Sequence, residues 1–350
     1  MPFSAGVREA RERLENWWEC GEQERPCLVL APLAQDHEPM PDTDDLERWW
    51  TDLDLQMSRT LWLIENTRFY AEAVPHDYID FGASAMPAVL GCDMTFVDKE
   101  TIWAHPVHQT IEEVLESDFD RAYRSGRFYR LALELTRRST RLAAGHHYAS
   151  QFALGGTLDN LAALYGNANL LVDLIEKPQK VKAALERLKR VWIEAFEETQ
   201  RIIDTAGNGG GIGWAGVWAP GSTFPMQEDI SYMVSPEMFR EFCLPHIVDC
   251  ATVMDCGFYH LDGVGAIPHL DALLEIPEIK VIQWVPGAGK EEMAQWYDLL
   301  RRIISAGRAC QVYARADEVP GLVENVGSRG LLVTCLGVTE PEARRLLEEL

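Results

Sequence analysis

The sequence predicts an α/β fold, a (β/α)8 TIM barrel with N-terminal helical decorations. Three observations carry that prediction. From residue 148 to 350, short apolar runs alternate with amphipathic helical patterns in about six consecutive βα units. Those runs are apolar on both faces, as a parallel sheet covered by helices requires. An early apolar run, Cys27–Ala31, and one further strand in the irregular stretch 73–106 bring the count to eight. A doubly wound open sheet is the alternative, but no GxGxxG opens a helix after the first strand and no P-loop is present.

Taken in order, residues 4–20 read as an amphipathic helix with Val7, Ala10, Leu14 and Trp17 at helical spacing, ended by Arg25-Pro26. After the first strand comes a Pro- and Asp-rich loop, 32–45, long enough to suggest a cover over a site. Leu46 to Tyr70 reads as a helix, and a short strand pair is expected around 94–97 and 101–104. Helices follow over 111–117 and 121–145, then a strand over 148–154 and a helix over 161–165, capped by Thr157 or Asp159. Residues 169–203 are helical with a break at Pro178, and 211–218 reads as a strand in a glycine-rich frame. Two helical pieces fill 230–254. Strands at 257–261, 280–285, 309–314 and 331–336 then alternate with helices at 266–274, 291–305, 319–326 and 340–350. With no repeat and no low-complexity linker, residues 1–350 form one domain, of which 1–25 is a helical extension.

Lys+Arg number 32 and Asp+Glu 55, a formal net charge of −23. That balance argues against nucleic-acid backbones and anionic membrane surfaces as partners. No run approaches the roughly 18 apolar residues of a spanning helix, and the N-terminus lacks the apolar core of a signal peptide. Together with eight scattered Cys and no CxxC pair, this places the chain in the cytoplasm, with reduced thiols.

The chemistry is expected at the C-terminal ends of the strands. His260 and Asp262 stand two apart at the end of one strand and so share a face. Other strand ends bring Trp214 and Trp218, Gln283 and Trp284, Tyr313 and Arg315, and Cys335 to the same mouth. Imidazole, carboxylate and thiolate all bind zinc, so His260, Asp262 and Cys335 are a candidate metal set with one open position. Against it stands a plainer reading, with Cys335 a small core residue and His260 a hydrogen-bonded barrel histidine. Asp262, Tyr313 and Asp229 are the candidate catalytic groups; Trp214, Trp218, Gln283, Trp284 and Arg315 are candidate substrate contacts. Asp229, in a loop, can act as acid or base or simply cap a helix. His146-His147 falls at the N-terminal end of a strand, where a barrel keeps its stability residues. GxSxG and HExxH are absent.

Tyr259-His260-Leu261-Asp262-Gly263, Ile282 to Gly287 (IQWVPG) and Asp229 to Phe239 (DISYMVSPEMF) together resemble the uroporphyrinogen decarboxylase superfamily. Gly156-Thr157-Leu158-Asp159 and Leu174-Ile175-Glu176-Lys177-Pro178 are similar to it too. The resemblance covers residues 150–350 well and 1–150 loosely, and implies a TIM barrel. True uroporphyrinogen decarboxylases carry an arginine-rich motif after the first strand; here that place reads Leu30-Ala31-Pro32-Leu33-Ala34-Gln35-Asp36. The corrinoid-dependent methyltransferase branch is the better fit. It implies zinc held by a His-x-Cys pair and a later Cys, matched by His260 and Cys335, with Asp262 in place of the pair's Cys. It also implies a corrinoid on a separate partner protein, a homodimer, and zinc-assisted methyl transfer between a small-molecule donor or thiol acceptor and that corrinoid. The alternative reading is a cofactor-free decarboxylase or lyase on a small carboxylic acid, resting on Asp262, Arg315 and Tyr313. A ligand sensor on a catalytically dead barrel is a third.

Overall fold

In the computed structural model, residues 3–79, 81–82 and 85–350 are described. The first two residues of the expected 1–25 extension, and three positions within the irregular stretch 73–110, lie outside them.

The strand at Cys27–Leu30 sits between Tyr70–Ala71, antiparallel to it, and Leu331–Thr334, parallel to it. The sheet continues in parallel through Ala309–Tyr313, Ile279–Val285, Gly257–Asp262 and Pro225–Met226. Among the described residues it has seven strands, with Tyr70–Ala71 and Pro225–Met226 at its two edges. The expected closed barrel is thus observed as a seven-stranded α/β sheet whose ladder is open. Two expected strands do not join it. Residues 148–154 contribute only a parallel bridge from Tyr148 to His76. Within 211–218, Gly211–Ile212 turns back to pair antiparallel with Trp218–Ala219, because a left-handed Gly216, at φ 69°, reverses the chain. The place in the sheet falls instead to Pro225–Met226. Proline lacks an N–H, and an edge strand tolerates that loss.

Alternation sorts each central strand into two sets. Phe258, Val281, Ala309 and Leu332 face a cluster formed with Cys27, Val29 and the helix Ala5–Trp18. Ser4 opens that helix, its hydroxyl accepting from the Val7 N–H. Tyr259, Leu261, Ile282, Trp284, Cys310, Val312, Val333 and Cys335 face the other way, into the large core shared with the surrounding helices. The sheet is therefore covered on both faces, which accounts for its uniformly apolar strands. The expected helix over 46–70 is two, Leu46–Thr51 and Leu53–Asn66. Asp52 separates them, its carboxylate capping the Asp54 and Leu55 N–H groups. No helix among the described residues is long and apolar enough to cross a membrane.

Candidate metal centre

Parity places His260 and Asp262 on the same face as Phe258, one and two steps nearer the strand's C-terminal end. The loop after Pro225–Met226 brings Asp229 to them. Ligand atoms of Asp229, His260 and Asp262 all lie within 4.8 Å of one another. Burial, and then the neighbouring Asp262, push the Asp229 carboxyl up to about 6. Burial holds the His260 imidazole below its usual range, and so in the neutral form a metal requires.

A polar row crosses the sheet behind His260. Its Nδ1 bonds the side-chain oxygen of Gln283. Gln283 Nε2 donates to Gln311 Oε1 at 3.0 Å. Gln311 Nε2 donates to Thr334 Oγ1 at 2.9 Å and to the Ala215 carbonyl at 3.3 Å. Burial raises the Tyr313 phenol above its usual range, and the Gln283 side chain beside it offsets part of that rise. Trp214 sets its ring edge-on to His260, 4.9 Å between centroids, and donates to the Pro225 carbonyl at 3.1 Å.

Two further carboxylates, Glu228 and Asp159, hold the Asp229 loop. Glu228 is 3% exposed and accepts from the Thr157 N–H, the Thr157 hydroxyl and the Leu158 N–H, each at 2.9 Å. It therefore caps the helix Thr157–Tyr165, which has no side-chain cap of its own. The expected caps Thr157 and Asp159 do not serve there. Asp159 reaches the other way and accepts from the Asp229 and Ile230 N–H groups at 2.8 and 2.7 Å. Burial, with Asp229 beside it, pushes Asp159 up to about 7. His269 Nε2 donates to the Ser231 carbonyl at 2.9 Å and stacks on Phe239, pinning the same loop. A cavity of about 530 Å3 opens beside these groups, lined by Asp159, Asp229, Asp262, Asn160, Tyr232 and Met233 among others. No Lys or Arg occurs among its described lining residues.

The other expected site residues lie elsewhere. Cys335 belongs to the helix-side core and is not in the Asp–His–Asp group; burial pushes its thiol up to about 12. Its neighbour Thr334 takes the inward position. Trp284 is fully buried on the helix side, edge-on to Trp296 at 5.0 Å. Trp218 packs under the sheet, its carbonyl accepting from the Trp18 indole at 2.8 Å and Arg11 lying over its ring. Arg315 lies beyond its strand and pairs with Asp317 and Glu318.

His147 is buried at the far end and bonds Ser139 at 3.0 Å. Burial drives its pKa from 6.5 down to about 4. Between those values the unfolded chain holds a proton that the fold refuses, so stability falls as pH drops from 6.5 toward 4. The loss is on the order of 2–3 kcal/mol. Urea unfolding at pH 7.5 and 4.5 is expected to show it, and His147→Gln to shrink it.

No protein-family model matches the chain, and no curated protein matches it. Among solved structures it is similar to a methyltransferase from Methanosarcina mazei, over 97% of this chain and 97% of that one. The TM-score is 0.63 at 13% sequence identity, a likeness of fold.

Proposed function

We propose that the chain is a metal-assisted methyltransferase of the uroporphyrinogen decarboxylase superfamily, moving a methyl group between a small substrate and a corrinoid carried by a separate protein. The observation that carries this is the Asp229–His260–Asp262 group beside an open cavity. The fold shared with a methyltransferase and the motifs around His260 support it. The parallel strand order and the His76–Tyr148 bridge support a barrel-like arrangement in one domain.

One imidazole and two carboxylates within 4.8 Å fit a divalent ion with an open position. The set is harder than one containing thiolate, since Cys335 stands outside it. Bound there, zinc supplies Lewis-acid polarisation and lowers the pKa of a thiol brought against it. The protein's own part is positional. Gln283 orients His260, Asp159 fixes the backbone of Asp229, and the Trp214 ring walls the imidazole from water. Tyr232 and Met233, each 58% exposed, form an apolar lip on the cavity. A corrinoid presented by a partner protein would approach over that lip. Arg315, the cation of the lyase reading, pairs with Asp317 and Glu318 and is not among the described residues that line the cavity.

The test is zinc-loaded protein with methylcobalamin as methyl donor and 2-mercaptoethanol as acceptor. Loss of the methylcobalamin absorbance is expected to require zinc and to stop with a chelator. A rate equal to that without protein, across a panel of small thiols, overturns the reading.

A further inference from the structure

The row His260–Gln283–Gln311 can run in one proton direction only. The Ala215 carbonyl can accept but never donate, so the Gln311 side chain must turn its NH2 toward it. Gln311 Oε1 then faces Gln283 and must receive a hydrogen from Gln283 Nε2. That leaves Gln283 Oε1 toward His260 Nδ1, and an amide oxygen again only accepts. Thr334 does not break the logic, because its hydroxyl takes either role. Gln283 and Gln311 are fully buried, so water does not compete for these atoms.

We infer that Gln311, oriented by the Ala215 carbonyl, is a positioning residue that fixes His260 as the Nδ1–H tautomer and leaves Nε2 as its ligand atom. Ala215 lies on the loop between the paired segments Gly211–Ile212 and Trp218–Ala219, and Trp214, against the His260 ring, precedes it. One loop thus sets both the proton and the orientation of the imidazole. The tautomer stands apart from the proposed function; only its consequence for metal affinity rests on that reading.

The experiment is long-range proton–nitrogen NMR on histidine-labelled, chelator-treated protein at pH 8, with the His260 signals assigned by His260→Ala. The wild type is expected to show only the Nδ1–H form. Gln311→Met frees the Gln283 amide to turn over, and the Nε2–H form is expected to appear. The double variant Gln311→Met/Gln283→Glu puts an acceptor-only carboxylate against Nδ1 and is expected to restore the Nδ1–H form. Thr334→Val is expected to keep it, because the Ala215 carbonyl remains. Zinc affinity is expected to fall roughly 10-fold or more in Gln311→Met and to recover in the double variant. Nε2–H in the wild type, an unchanged tautomer in Gln311→Met, or a switch in Thr334→Val overturns the inference. The NMR readout is made without metal, so it is decided even if the wild type takes up no zinc. That result would remove the metal reading and leave the tautomer in place.

Discussion

His260→Ala is expected to weaken zinc binding by more than about 100-fold and to end methyl transfer, while Cys335→Ala leaves both in place. Loss of a supporting group around a metal ligand costs 10–100-fold in affinity as a rule, and loss of one of three ligands costs more. The fold should survive the substitution. His260 is half-buried, and its strand is held by ladders to both neighbours. Removing the imidazole strands Gln283 Oε1, one buried acceptor, for about 1–3 kcal/mol. Cys335 is the control because its thiol lies in the helix-side core. Its replacement removes one small buried group, worth about 1 kcal/mol. Calorimetric titration of both variants with zinc, beside thermal unfolding, separates the two expectations. Equal loss of zinc in Cys335→Ala would return the thiolate to the site.

Trp284→Ala is expected to cost about 3–5 kcal/mol of stability, the range for emptying a large aromatic from a core. Trp284→Phe is expected to cost much less and to bind zinc as the wild type does. The indole is fully buried, and its Nε1 has no hydrogen-bond partner among the described residues, so phenylalanine loses volume but no bond. A pocket wall would behave in reverse, with a small stability loss and a large effect on activity. Urea unfolding and zinc titration of the two variants distinguish these cases.

Strand parity makes part of the Asp–His–Asp group legible, and register, which parity alone does not show, decides which way the other strand-end residues face. Residues two apart share a face, so His260 and Asp262 could be paired from the sequence alone. The same rule forbids Gln283 and Trp284 from facing one way. The inward member is the one in register with His260, and a single sequence does not show register. Cys335 and Thr334 divide in the same manner, with Thr334 bonded to Gln311. Asp229 was visible as a loop carboxylate. Glu228 and Asp159 were not, because each acts on backbone N–H groups some 70 residues away. Gln311 belongs to none of the motifs; its signal in the sequence is a glutamine amid Cys310 and Val312, on the strand next to that of Gln283. The helices and central strands were legible from periodicity. Residues 148–154 and 211–218 were not, since β-prone composition does not reveal which segment enters the ladder.

Zinc K-edge X-ray absorption on the zinc-loaded wild type decides whether Asp229, His260 and Asp262 hold the metal. A first shell of nitrogen and oxygen only, at about 2.0–2.2 Å, is expected, with an imidazole outer shell that His260→Ala removes. A sulfur shell at about 2.3 Å, or protein that takes up no zinc, would contradict it.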